Sequence, residues 1–182
     1  MEKYILSKDD SLILVIDIQE RLKPAMDRGE RVVENTKILL EAAKLLDIPV
    51  LFTEQYPKGL GNTLGEIMDI ADNPQVFEKN SFTGCIDSVN SKLKEMGKKK
   101  IIIVGIETHV CVFQTCRDLL SDGYDVHIAK DAVASRTREN YKNSLGLMRD
   151  MGAVISNTET ILFDLLKKAG TDEFKAISKM IK

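Results

Sequence analysis

Short, uninterrupted apolar runs constrain the fold of this chain more than any other feature. Leu12–Ile16 and Ile101–Val104 contain only branched aliphatic residues. A strand of a parallel sheet that is covered by helices on both faces has this composition, whereas a half-exposed strand alternates apolar and polar residues. The runs therefore predict a sheet that is buried on both of its faces.

Predicted strands and helices alternate along nearly the whole chain, with Gly or Pro at many of the boundaries. The predicted strands are 12–16, 50–53, 76–79, 101–104, 124–129 and 153–155. The predicted helices are 32–46, 64–70, 86–96, the amphipathic segment after Gly105, 138–151, the segment after the capping-box sequence Ser156–Glu159, and 173–181. This order predicts an α/β, doubly wound, mainly parallel six-stranded sheet with helices on both faces. Residues 54–63, which contain Pro57, Gly59 and Gly61, are expected to form a functional loop.

Size and charge exclude several classes of protein. The chain has 182 residues, which suits one domain with a substantial core. A net charge of −2 offers no basic footprint for nucleic acid, and Lys98–Lys100 is interpreted as a solvated turn before a strand. No apolar stretch approaches the roughly 20 residues that a membrane span needs.

The N-terminus and the cysteines predict a cytoplasmic protein. The first ten residues, MEKYILSKDD, lack the apolar core of a signal peptide. Three cysteines, an odd number without tight spacing, argue against a disulfide framework and for a reducing compartment.

Three chemically capable side chains stand at or just past the ends of predicted strands: Asp17, Lys79 and Cys111. Ligands of such sheets bind beyond the carboxyl ends of the strands. Cys111 lies near the start of a helix, whose dipole favours thiolate over thiol, although a buried cysteine that only packs is the alternative. Asp17 is the expected base for this nucleophile, and Lys79 the expected countercharge.

Three motifs in order, DIQ at 17–19, KNSF at 79–82 and GIETHVC at 105–111, resemble the signatures of the isochorismatase-like cysteine hydrolase superfamily. The stretches TEQYPKGLG at 53–61, GYDVHIAKDAVASR at 123–136, TETILFDLL at 158–166 and EFKAISKMIK at 173–182 are similar to its isochorismatase-domain-containing branch. The resemblance covers nearly the whole chain. It implies one isochorismatase-like hydrolase domain, residues 1–182.

The resemblance also implies a role for each matching residue. Asp17 would be the general base, Lys79 the triad lysine and Cys111 the nucleophile. A cis peptide bond between Ile106 and Glu107 would let the N–H groups of Glu107 and Cys111 form an oxyanion hole. The predicted substrate pocket consists of Gln19, Phe82 and His109, with a local structural role as the alternative for His109.

Departures from the family pattern limit the reactions that are expected of this chain. The metal-using nicotinamidases of the superfamily have an Asp-x-His motif after the second strand, where this chain has Thr53–Pro57 without a histidine. No metal and no cofactor are therefore expected, and His127 is predicted to be structural. True isochorismatases act on a vinyl ether and need not use a cysteine, so the retained Cys111 favours acyl chemistry at a C–N bond.

The sequence thus predicts a cysteine-dependent, metal-independent, amidase-type hydrolase that acts on a small, unidentified substrate. The expected partners are that substrate and further copies of the chain, because the family usually assembles; neither nucleic acid nor membrane is expected. A scaffold protein that keeps the fold and the triad without efficient chemistry is the alternative. A thiol redox protein is a weaker option because no C-x-x-C motif is present.

Overall fold

A computed structural model describes residues 1–181 of the chain. Six strands form one sheet in the order β3-β2-β1-β4-β5-β6, and every pair of neighbouring strands is parallel. The predicted fold class is confirmed. The strands are β1 (Ser11–Ile16), β2 (Val50–Gln55), β3 (Gln75–Lys79), β4 (Lys100–Ile106), β5 (Asp125–Ala134) and β6 (Val154–Ser156).

Helices connect the strands and cover both faces of the sheet. Within residues 1–181 the α-helices are α1 (Gly29–Leu45), α2 (Pro57–Leu60), α3 (Gly65–Met68), α4 (Asp87–Met96), α5 (Phe113–Ser121), α6 (Arg138–Asp150), α7 (Thr158–Leu166) and α8 (Asp172–Met180). A π-helical turn, Thr108–Val112, joins β4 to α5. The expected loop at 54–63 is more regular than predicted, because β2 runs on to Gln55 and α2 forms a single helical turn.

The core consists of two layers, one on each face of the sheet. All seven residues of β4 are buried, and its side chains alternate between the layers. Ile102 and Val104 pack in the layer that contains α1, α7 and α8. Ile101 and Ile103 pack in the layer that contains α4, α5 and α6. Burial on both faces explains why β1 and β4 carry uninterrupted apolar runs.

Two local predictions are wrong. Lys100, predicted to be solvated, is 6% exposed at the start of β4, where its Nζ donates to Asp125 Oδ2 at 3.1 Å and to the Glu2 carbonyl at 3.1 Å. These acceptors satisfy the buried charge. The cap of α7 is Asn157, one residue after the predicted Ser156, and its side chain accepts from the Thr160 N–H at 2.8 Å.

Gly105 allows β1 and β4 to lie close together beside the site. Its φ of +130° lies in a region that residues with a Cβ rarely adopt. A Cβ at this position would lie 2.1 Å from the carbonyl oxygen of Ile16, the residue that pairs with Gly105 across the two strands. Glycine is therefore required at the point where the sheet delivers both of its central strands to the site.

Candidate active site

The structure brings Asp17, Lys79 and Cys111 to the same edge of the sheet. Asp17 directly follows β1, Lys79 is the last residue of β3, and Cys111 lies in the π-helical turn after β4. The order of connections reverses between β1 and β4, and such reversals create the crevice where doubly wound folds bind ligands. Asp17 and Cys111 therefore flank this crevice.

Asp17 and Lys79 form a buried ion pair at the base of the site. Lys79 Nζ lies 2.7 Å from Asp17 Oδ2, and both side chains have no exposed surface. The hydroxyl of Thr53 donates to Asp17 Oδ1 at 2.7 Å. The remaining protons of Lys79 have acceptors in Gln55 Oε1 at 2.8 Å and in the carbonyl oxygens of residues 81 and 82. Such a set of partners is what makes a buried charge pair tolerable.

The Cys111 thiol is 6% exposed and unoxidised, and it lies close enough to Asp17 and Lys79 for both to affect its ionisation. The pKa of the thiol is raised to about 12, mainly by burial and then by the Asp17 carboxylate, while the Lys79 ammonium acts to lower it. The helix terminus was expected to favour the thiolate, but the net shift has the opposite direction, because desolvation beside a carboxylate outweighs the helix terminus. With this pKa, Cys111 is a neutral thiol at neutral pH.

Thr115 is a site residue that the sequence did not reveal. Its hydroxyl donates to the Cys111 carbonyl at 2.6 Å and accepts from the Gly84 N–H at 2.7 Å. The 80–84 segment, whose carbonyls contact Lys79, is thereby tied to the helix that carries the thiol. A threonine has neither charge nor motif to mark it, and the only available signal was its position one helical turn after Cys111.

Gln19 braces the backbone beside the site. Its Nε2 donates to the carbonyls of Gln55 at 3.0 Å and Gly61 at 2.7 Å, and its Oε1 accepts from the Gln55 N–H at 2.8 Å. Both amide protons are therefore used within the protein. Contact of Gln19 with substrate stays a prediction, and in this structure the side chain holds both ends of the 55–61 segment.

The other two predicted pocket residues lie at the rim. Phe82 is 54% exposed, so its ring faces solvent while its carbonyl binds Lys79. His109 Nδ1 lies 3.0 Å from the hydroxyl of Ser135, and Nε2 lies 3.4 Å from the amide nitrogen of Asn140. These contacts favour the local structural role for His109.

The peptide bond between Ile106 and Glu107 is cis. The carboxylate of Glu107 accepts from the backbone N–H and from Nε of Arg136, both at 3.1 Å. The backbone N–H of Glu107 has no acceptor among residues 1–181. It is thus available to an external oxygen atom.

No cluster of three or more His, Cys, Asp or Glu side chains that could hold a metal ion occurs within residues 1–181. His127 lies away from the site, where it is buried and its Nε2 lies 2.8 Å from the Lys3 carbonyl. Burial lowers the pKa of this imidazole, which keeps it neutral.

Comparison with known proteins decides the family. A model described as the isochorismatase domain matches residues 11–160, which include all three candidate catalytic residues. The chain belongs to the isochorismatase family. The resemblance predicted from the three motifs is confirmed, and family membership places the chain among isochorismatase-like hydrolases.

Two relatives and one solved structure illustrate how close this family is to the chain. The secreted isochorismatase effector Isc1 of Phytophthora sojae is 41% identical over 94% of this chain and 84% of the relative. Isochorismatase domain-containing protein 2 of Danio rerio is 39% identical over 97% of this chain and 89% of the relative. A structure described as the MAR1 ribonuclease of Caenorhabditis elegans is 34% identical, with a TM-score of 0.93 over 97% of this chain and 92% of its own.

No helix in the described part of the chain is long and apolar enough to cross a membrane. The cytoplasmic location stays a prediction, because one relative is described as secreted.

Proposed function

We propose that this isochorismatase-family protein is a cysteine-dependent hydrolase that cleaves a C–N, amide-type bond of a small substrate through a thioester. The observation that carries the proposal is the buried Asp17–Lys79 pair, with Nζ and Oδ2 2.7 Å apart, acting on the Cys111 thiol. A nucleophile, a base within its reach and a group that orients the base are the components of covalent acyl transfer.

The first half-reaction begins with a neutral thiol. Asp17 accepts the proton of Cys111 while Sγ attacks the carbonyl carbon of the substrate, and the carbonyl π electrons move onto oxygen. Asp17 then returns the proton to the amine nitrogen, the C–N bond breaks, and the amine leaves. Because the thiol is a weak acid in this site, proton removal has to accompany the attack rather than precede it.

The negative charge that develops on the substrate oxygen needs hydrogen-bond donors to stabilise it. The proposed oxyanion hole consists of the backbone N–H groups of Glu107 and Cys111, and the free N–H of Glu107 supports this assignment. Removing one such donor in other acyl-transfer enzymes lowers kcat by about 10²–10³.

The second half-reaction releases the acid. Asp17 accepts a proton from water, whose oxygen attacks the thioester carbon, and the C–S bond breaks. The leaving sulfur takes the proton back from Asp17. Lys79 stays charged throughout and keeps the carboxylate in place through its contact with Oδ2.

A screen over small amides with Cys111→Ala as blank tests this proposal. We expect turnover in the parent chain and a loss of about 10⁴-fold or more in Cys111→Ala, since the nucleophile is gone. Cys85→Ala is the matched control, because Cys85 is a half-buried free cysteine outside the triad. Equal activity of Cys111→Ala and the parent would overturn the mechanism.

Alkylation of Cys111 by iodoacetamide against pH tests whether Asp17 acts on the thiol. Asp17→Asn removes a charge that raises the thiol pKa, so the labelling midpoint should move to lower pH while turnover is lost. The labelled site has to be assigned by peptide mass spectrometry, because Cys85 and Cys116 are also free. A midpoint that Asp17→Asn leaves unchanged would show that Asp17 does not act on the thiol.

RNA cleavage is a second candidate, and it rests on the description of the Caenorhabditis elegans structure as a ribonuclease. A single-stranded RNA therefore belongs in the same screen. Cleavage that persists in both Cys111→Ala and Asp17→Asn would assign any nuclease activity to another part of the molecule. If RNA cleavage is lost in both variants, phosphodiester cleavage at this site would replace amide hydrolysis as the proposed function.

A further inference from the structure

A second cavity, of about 120 Å³, lies where the start of α1 meets the end of β5 and the start of α6. None of the triad residues lines it. Five cationic side chains line this cavity: Arg28, Arg31, Lys130, Arg138 and Lys142. Two carboxylates, Asp27 and Asp131, also line it, which leaves a formal surplus of three positive charges. Such a concentration of cations is unexpected in a chain with a net charge of −2.

The five cations form no close ion pair in the described part of the chain. No carboxylate among residues 1–181 lies within 4.0 Å of any of their charged nitrogens. Asp131 is engaged elsewhere, since its Oδ1 accepts from the N–H and the hydroxyl of Thr158 at 2.8 and 2.9 Å. Like charges that converge on a concave surface repel one another and attract an external anion.

Tyr141 lies in the wall of the cavity, among the charged side chains that line it. Its hydroxyl donates to the Lys130 carbonyl at 2.5 Å, which fixes the ring in the wall of the cavity. Burial raises the pKa of Tyr141, the charge of Arg31 lowers it, the Asp131 carboxylate raises it and the charge of Arg28 lowers it. In addition, no side chain caps the start of α1, whose first N–H groups favour negative charge.

The size of the cavity defines the class of ligand. Pockets for drug-sized molecules have volumes of about 300–1,000 Å³, so 120 Å³ accommodates only a small group. Three of the five cations are arginines, whose planar guanidinium groups bind phosphate oxygens in pairs. We propose that this cavity is a binding site for a phosphate group, either free phosphate or the phosphoryl end of a small metabolite.

Calorimetric titration of the full chain with inorganic phosphate, and separately with glycerol 2-phosphate, tests the proposal at constant ionic strength. Arg31→Gln and Arg138→Gln should each weaken binding about tenfold or more, since each removes a charged donor pair. Arg149→Gln is the matched control, because Arg149 is an exposed arginine on the same helix as Arg138 and does not line the cavity. Circular dichroism without phosphate should show that all three variants keep the parent fold.

The phosphate site is supported if either probe binds the parent and Arg149→Gln but not the two cavity variants. The probe that binds then identifies the source of the phosphate group. Absence of binding by both probes, or an equal loss in Arg149→Gln, overturns the proposal. Because Cys111→Ala leaves the cavity intact, the same titration in that variant gives the same answer whether or not the proposed hydrolysis is correct.

Discussion

Replacing Lys79 by methionine is the most informative perturbation of the site, because it removes one half of a fully buried ion pair. Lys79 Nζ contacts Asp17 Oδ2, Gln55 Oε1 and the carbonyls of Ser81 and Phe82. After the substitution Asp17 keeps the Thr53 hydroxyl as a donor but loses the ammonium of Lys79. A buried carboxylate would thus lose its countercharge and an aliphatic chain would face three orphaned acceptors.

The expected loss of stability follows from this burial. Removing one partner of a buried pair costs about 3–5 kcal/mol, which is a large part of the roughly 5–15 kcal/mol that stabilises a typical domain. For a chain of this size the melting temperature should fall by roughly 6–20 °C. Urea unfolding of the parent and the variant measures the free energy directly, and an unchanged m value shows that the same surface unfolds.

Two further variants make the result decisive. Lys37→Met removes a lysine that is 3.1 Å from Glu66, but these side chains are 41% and 51% exposed, so the loss should stay below about 1 kcal/mol. The double variant Asp17→Asn, Lys79→Met removes both charges and should recover a substantial part of the Lys79→Met loss. A Lys79→Met loss below about 1 kcal/mol, or strictly additive losses in the double variant, would refute the reasoning.

The remaining predictions concern the fold. Gly105→Ala should cost more than about 4 kcal/mol in urea unfolding, since its Cβ would lie 2.1 Å from the Ile16 carbonyl, whereas Gly146→Ala, in open space within α6, should gain up to about 1 kcal/mol. Similar effects at the two glycines would contradict this. Burial holds the pKa of His127 below its ordinary value of about 6.5, so the unfolded chain binds more protons and stability falls as pH drops below about 6.5. His127→Gln should flatten this part of the stability profile, and an unchanged slope would show that another group causes it.

The central strands and the catalytic candidates were predictable because burial and chemistry leave strong local signals. A strand covered on both faces has to be apolar throughout, so β1 and β4 were visible in the sequence, although β4 proved longer than Ile101–Val104 at both ends. Asp17 directly follows the buried strand β1, whereas Lys79 ends β3, an edge strand that is mostly exposed. Parallel strands bring their carboxyl ends to one edge, so the sequence predicted that these residues share an edge, while their contact became visible only in the structure.

The features that the sequence did not predict depend on tertiary contacts, which leave no signal in the local sequence. Lys100 is buried because Asp125 and the Glu2 carbonyl happen to lie beside it, and a run of three lysines gives no sign of either. The raised pKa of Cys111 reflects burial and the neighbouring Asp17 carboxylate, whereas the sequence showed only a helix terminus. Thr115 acts through two hydrogen bonds to the backbone, and such bonds depend on position rather than on residue type.

The hydrogen bonds of Gln19 separate the triad, whose geometry has to stay fixed, from the tip of the 55–61 segment, whose residues can vary. The Gln19 side chain holds the 55–61 segment at both of its ends. The tip of the segment lies between these ends and includes Tyr56, which is 54% exposed. The hydrogen bonds of Gln19 therefore do not connect the tip to Asp17 or Cys111. Substitutions at the tip are therefore expected to leave the geometry of the Asp17–Lys79 pair unchanged. An arrangement of this kind would let the surface of the tip change while the groups of the proposed triad keep their positions.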